Sequence, residues 1–144
     1  MTIKNKKAFF NYHVEERMEA GIVLTGSEVK SLREGKANLV DSYATVKNGE
    51  VWLLKVNISP YPPAAANNHL PTRSRKLLLH AEQIEKINSK LEQGGLTLVP
   101  LALYFKQGRA KVELGLCRGK KKYDKRETLK KRETDRAIRR VLKG

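Results

Sequence analysis

The chain has 144 residues, 40% of them hydrophobic, and sets 30 Lys and Arg against 15 Asp and Glu for a formal charge of +15. That length suits one compact domain, and the charge points to a polyanionic partner, most often nucleic acid. No apolar run approaches the roughly 20 residues of a membrane span, Met1 to Lys7 lacks the apolar stretch of a signal peptide, and the single cysteine, Cys117, excludes an internal disulfide framework and a Cys-rich zinc site, so a reduced, cytoplasmic location is expected.

In chain order, Tyr12–Met18 reads as a strand and Ile22-Val23-Leu24 as a further short one. Ser27 is placed to cap a helix running through Arg33 and stopped by Gly35, with Val29 and Leu32 as its apolar contacts. Tyr43–Lys47 and Glu50–Ile58 flank Asn48-Gly49, whose residues tolerate the positive φ angles of a type I′ hairpin turn. Pro60–Pro71 holds four of the five prolines; such a long loop suggests a functional surface or a mobile segment. A second helix is expected over about Ala81–Glu92, burying Ile84, Ile87 and Leu91 and ended by Gly94-Gly95. Thr97–Lys106 and Arg109–Cys117 form a second hairpin about Gln107-Gly108, with Val112, Leu114 and Leu116 on its buried face. Trp52 reads as a core aromatic and Cys117 as a small buried hydrophobe, while Phe9 and Phe10, beside the first basic cluster, either stack on unpaired bases or pack in the core. The fold class is therefore mainly β with two or three helices. An OB-type closed β-barrel fits, and an open α+β sheet fits the patterning nearly as well.

The charge is uneven. Arg118–Gly144 holds thirteen basic residues and four acidic ones, with few apolar side chains. It cannot offset its ordering entropy alone, which divides the chain into a body over 1–118 and a basic tail over 119–144. Asp124 stands three residues before Glu127 in a capping-box pattern, and Glu127–Lys131 and Asp135–Arg139 are i,i+4 pairs. The expected behaviour is a tail unfolded when free and helical once phosphates neutralise it.

Chemistry is sparse. His13, His69 and His80 have no metal-ligand spacing, and neither a nucleophile elbow nor a phosphate-cradling glycine loop is present. No catalytic residue, metal or cofactor is assigned. Basic clusters at Lys4-Lys6-Lys7, Lys30-Arg33-Lys36, Arg73-Arg75-Lys76 and in the tail, some beside aromatics such as Tyr12 and Tyr123, suit phosphate contacts with base stacking.

Taken together, Asn5-Lys6-Lys7-Ala8, the run Gly21–Ala44, Pro71–His80 and Gly119–Arg126 are four separated motifs in one order. They resemble the SsrA-binding protein family, also called small protein B, over almost the whole chain. The resemblance implies an OB-type barrel with associated helices that binds the tRNA-like domain of transfer-messenger RNA and catalyses nothing. It implies a monomer that, with elongation factor Tu and GTP engaged through the RNA, helps deliver that RNA to stalled ribosomes in trans-translation, so that they are rescued and the nascent peptide is tagged for degradation. The tail would become helical in the empty messenger channel beside the decoding centre.

Carried over by motif, the RNA-binding positions are Asn5, Lys6, Lys7, Glu28, Lys30, Ser31, Arg33, Lys36, Asn38, Arg75, Lys76, Leu78 and His80. Glu28, an acid on an RNA face, either accepts from a base amino group or orients a neighbouring cation. The ribosome-directed tail positions are Gly119, Lys120, Lys121, Tyr123, Asp124, Lys125 and Arg126. A structural ribosomal RNA-binding protein fits size and charge equally and is the alternative.

Overall fold

A computed structural model describes residues 2–120. The expected tail helix and the positions Lys121, Tyr123, Asp124, Lys125 and Arg126 lie outside the described residues. Within them the chain is mainly β with three α-helices: β1 (Thr2–Lys4), α1 (Lys6–Asn11), β2 (Tyr12–Ile22), α2 (Gly26–Arg33), β3 (Ala37–Asn38), β4 (Tyr43–Lys47), β5 (Glu50–Leu54), β6 (Asn57–Ile58), β7 (Arg75–Leu78), α3 (Ala81–Glu92), β8 (Thr97–Lys106) and β9 (Arg109–Gly119). A 3₁₀ segment over Pro62–Asn67 occupies the proline-rich loop.

Strand pairing is antiparallel throughout and closes on itself in the order β8–β4–β5–β7–β2–β9–β8, with β1 added outside β8. The ring is narrowest in register where it closes: β4 meets β8 through Ala44 and Leu98, and β2 meets β7 through Gly21–Leu78 and Ile22–Leu77. β3 and β6 form a separate two-stranded ladder.

Both hairpins form about their expected turns. Asn48 and Gly49 take φ of 53° and 75°, and Gln107 and Gly108 take 53° and 76°, the left-handed pair that a two-residue turn needs. The first return strand is shorter than expected: Lys55, at φ 64°, breaks it after Leu54, and Asn57–Ile58 leaves to pair with β3. Tyr12–Met18 and Ile22 belong to one long strand, bulged between Val14 and Glu16, while Val23 and Leu24 lie beyond its end.

Alternation on the strands sends Val51, Leu53, Leu77, Val112, Leu114 and Leu116 inward, where Leu32, Leu39, Ile58 and Ile87 from the covering segments join them. Strand β8 is buried on both faces. Leu98 and Leu103 enter this main core, and Val99 and Leu101 pack with Ala8 and Cys117 under α1. That double burial explains the unbroken apolar run from Leu98 to Leu103. Trp52 corrects the sequence reading: its neighbours Val51 and Leu53 are the buried ones, and the indole sits half-exposed on the outer face opposite Thr45. Phe9 is likewise exposed, stacked by Arg17 at 5.4 Å.

Candidate nucleic-acid interface

Helix α2 starts two residues earlier than its sequence suggests. Thr25, not Ser27, is the N-cap: its hydroxyl accepts from Glu28 N at 3.4 Å, and Glu28 Oε1 accepts from Thr25 N at 2.8 Å, completing a capping box. This frees Ser27 for another task. The face that α2 turns inward is polar, with Ser27, Glu28 and Ser31 buried beside Leu32, while Val29 is only half-buried.

Glu28 is fully buried. Its carboxylate accepts from Arg73 Nε at 3.2 and 3.1 Å, from Arg73 Nη2, and from Arg75 Nε. Arg75 is also fully buried, and donates to the carbonyls of Val56 (2.8 Å), Pro71 (3.0 Å) and Arg73 (3.2 Å). Burial by itself would raise the Glu28 pKa; the Arg73 bond, the Thr25 N–H and Arg75 outweigh it and hold the carboxyl below its ordinary value. Two guanidiniums on one carboxylate leave a net positive cluster under α2, with Arg73 partly exposed at its edge.

His69 supplies a second pin. Its Nε2 donates to the Ile58 carbonyl at 2.8 Å, and its Nδ1 lies 2.8 Å from the Ser27 hydroxyl, with which it is hydrogen-bonded. Ser31 Oγ donates to the Ser59 carbonyl at 2.7 Å. Asn5 caps α1 by accepting from Ala8 N at 3.2 Å, and its amide donates to the carbonyls of Leu39 (3.2 Å) and Pro100 (2.9 Å). Four of the positions assigned from the motifs, Asn5, Glu28, Ser31 and Arg75, are therefore buried and bonded within the protein.

The remaining positions are exposed or half-exposed around these pins. Lys6 and Lys7 stand on α1, and Lys7 pairs with Asp41 at 3.2 Å, beside the Leu39 carbonyl that Asn5 holds. Lys30 and Arg33 lie on the outer side of α2, Arg33 at 5.9 Å over Phe105. Lys36 pairs with Glu34 at 3.1 Å, and the Asn38 side chain accepts from Val40 N. Leu78, 53% exposed, shares a cavity of about 270 Å³ with Val29, Leu24 and Phe105, rimmed by Arg109 and Lys111. His80, whose N–H donates to Gln83 at the start of α3, borders the next depression with Leu78 and Lys111. Lys76 stands apart: it is cross-strand from Trp52 and pairs with Glu50 at 3.0 Å.

The shared depression, and Arg33 over Phe105, join the outer side of α2 to the outer end of β7 in one surface. It presents cations around an apolar patch, the composition that contacts phosphates and bases together. Residues outside the motif-derived set are Arg73, His69 and Ser27, which fix the surface, and Arg109 and Lys111, which border it. Only Arg73 carried a signal, its place in the basic Arg73-Ser74-Arg75-Lys76 run. Of the tail positions, Gly119 ends β9 and Lys120 N donates to the Asn11 carbonyl at 2.9 Å.

Cys117 is buried, and burial pushes its thiol up to about 11. Among the described residues no three His, Cys, Asp or Glu gather around a point that would hold a metal ion, and no helix is long and apolar enough to cross a membrane.

Comparison with known proteins bears on the whole chain. The family model described as SmpB protein matches residues 2–144. The SsrA-binding protein of Trichodesmium erythraeum is 57% identical over 140 residues, covering 96% of this chain and 90% of its own. The SsrA-binding protein of Syntrophobacter fumaroxidans is 56% identical over 140 residues, covering 97% and 87%. A solved structure described as "tmRNA-SmpB: a journey to the center of the bacterial ribosome" superposes with a TM-score of 0.72 at 48% identity, over 84% of this chain and 85% of that one.

Proposed function

Since the chain belongs to the SmpB protein family, we propose that it is an RNA-binding protein of trans-translation. It binds SsrA RNA (transfer-messenger RNA, tmRNA) and acts with it in the rescue of stalled ribosomes. The observation that carries this reading to particular residues is the α2 surface. There, buried Glu28 holds Arg73 and Arg75, and the helix so fixed carries Lys30 and Arg33 outward.

In this reading the RNA-binding positions divide by burial. Lys6, Lys7, Lys30, Arg33, Lys36, Asn38, Leu78 and His80 meet the tRNA-like domain, with Lys76, which stands apart beside Trp52, as a separate contact. Asn5, Glu28, Ser31 and Arg75 act by holding those residues in place. For Glu28 this favours orienting cations over accepting from a base, since its lone pairs already serve Thr25, Arg73 and Arg75. The ring of six strands supports an OB-type barrel as the architecture of the body. The protein works as a monomer in the cytoplasm, without catalysis or cofactor, and elongation factor Tu with GTP joins it through the RNA. The tail, 119–144, serves the ribosome, at the decoding centre and messenger channel, after the body has bound RNA; the heavy charge of Arg118–Gly144 supports this division.

Titrating the tRNA-like domain of tmRNA into the full chain and its Arg33→Ala variant tests the assignment. Loss of one phosphate contact weakens binding and lowers the slope of log affinity against log salt by about 1. An unchanged affinity and slope would remove α2 from the interface.

A further inference from the structure

The proline-rich loop between β6 and β7 is fastened to α2 rather than free. The Asn68 amide clasps Tyr61, accepting from its N–H at 2.8 Å and donating to its carbonyl at 2.8 Å and to that of Ala65 at 3.2 Å. The next residue, His69, is buried and bonded to Ser27 of α2 and to Ile58. On the other side, Ser31 of α2 holds the Ser59 carbonyl, and Ser59 N donates to the Lys36 carbonyl. The loop's two ends are thus tied to one helix and its turn is clasped within the loop, which sets where Tyr61 stands.

Tyr61 stands beside Lys30. The ammonium lies 5.5 Å from the centre of the half-exposed ring. Lys7, Lys36 and Lys76 are each paired with a carboxylate, whereas Lys30 has none among the described residues. A cation without a carboxylate and an aromatic ring, side by side on backbone fixed by the Ser27–His69 and Tyr61–Asn68 bonds, form a site whose backbone is already ordered. We infer that Tyr61 and Lys30 are a stacking platform for an unpaired base of the bound RNA, with the Lys30 ammonium at the adjoining phosphate. This rests on α2 being the RNA face and extends that face onto the Pro60–Pro71 loop. A base–ring contact suits this place because every base offers a π-face and the contact adds no charge of its own.

The test titrates the tRNA-like domain of tmRNA into the full chain at several salt concentrations, with Tyr61→Phe, Tyr61→Leu and Arg33→Ala variants. Leu keeps apolar bulk to pack the loop but has no π-face. Tyr61→Leu is expected to weaken binding about tenfold at every salt concentration with an unchanged slope, because stacking releases no counterions. Tyr61→Phe is expected to bind as the parent does, with thermal unfolding midpoints alike for all three. The inference is overturned if Tyr61→Leu binds normally while Arg33→Ala is weakened. It is overturned too if Tyr61→Leu lowers the slope, which would leave only a charge contact, or if Tyr61→Phe loses as much as Tyr61→Leu. Normal binding by both Tyr61→Leu and Arg33→Ala would remove the α2 reading as well, so the two failures are distinguishable.

Discussion

Arg75 donates its Nε–H to the carboxylate of Glu28, and neither side chain reaches solvent. The contact joins α2 to β7, 47 residues apart in sequence. It lets a strongly basic surface be mounted on a charged foundation. Burying this pair costs desolvation, and the four carbonyl and carboxylate partners of Arg75 repay it only as a set.

Removing one member should therefore be costly. Glu28→Ala leaves a buried guanidinium unpaired and is expected to destabilise the fold by about 3–5 kcal/mol. Urea unfolding followed by circular dichroism measures this. A loss under about 1 kcal/mol, the scale of an exposed pair, would show the cluster to be solvated in practice. Reduced RNA affinity in this variant is expected to follow from a displaced α2.

The same carboxylate gives a pH signature. The folded pKa of Glu28 lies below its ordinary 4.5, so its contribution to stability is complete above that value and is lost as pH falls through the lower folded value. The stability gap between the parent and Glu28→Gln should be constant near neutrality and narrow below about pH 4.5. Chemical denaturation of both proteins across pH 3 to 7 reads this directly; a gap that widens in acid contradicts it.

Much of this frame was legible in sequence because its signals are local. Asn48-Gly49 and Gln107-Gly108 announce their turns through backbone chemistry, and the Ile84, Ile87, Leu91 stripe with its terminal glycines gives α3 its bounds. The site was legible only as composition and motif. Glu28 and Arg75 look like surface charges until the fold brings them together, since no local pattern marks a buried ion pair. Ser27 looked like a cap because its partner, His69, is 42 residues away. Trp52 looked like core because aromatic strand residues usually are; here the alternation sends Val51 and Leu53 inward instead. Strands β3, β6 and β7 owe their existence to long-range pairing that short windows do not register.

His69 should matter for the loop more than for the core. His69→Ala removes the pin from the loop to Ser27 of α2 and the one to the Ile58 carbonyl of β6, costing about 1–3 kcal/mol. Hydrogen exchange is expected to accelerate over residues 59–71 in this variant, while β8 and β9 keep their protection. Uniform acceleration across the sheet would mean that His69 supports the whole fold.

Cys117 should be inert in the native protein, its thiol being buried and raised to about 11. Alkylation by iodoacetamide at pH 8 is expected to require unfolding. Rapid labelling of the native chain would place Cys117 at an opening seam between β9 and α1.

The proposed function requires that the body select one RNA architecture rather than polyanions in general. The most direct measurement is competition at elevated salt among the tRNA-like domain of tmRNA, an ordinary tRNA and a random duplex, with nonspecific phosphate contacts weakened by the salt. The tRNA-like domain is expected to retain tight binding while the other two are lost. Equal, equally salt-sensitive binding to all three would contradict it and leave a basic RNA-binding protein without this specificity.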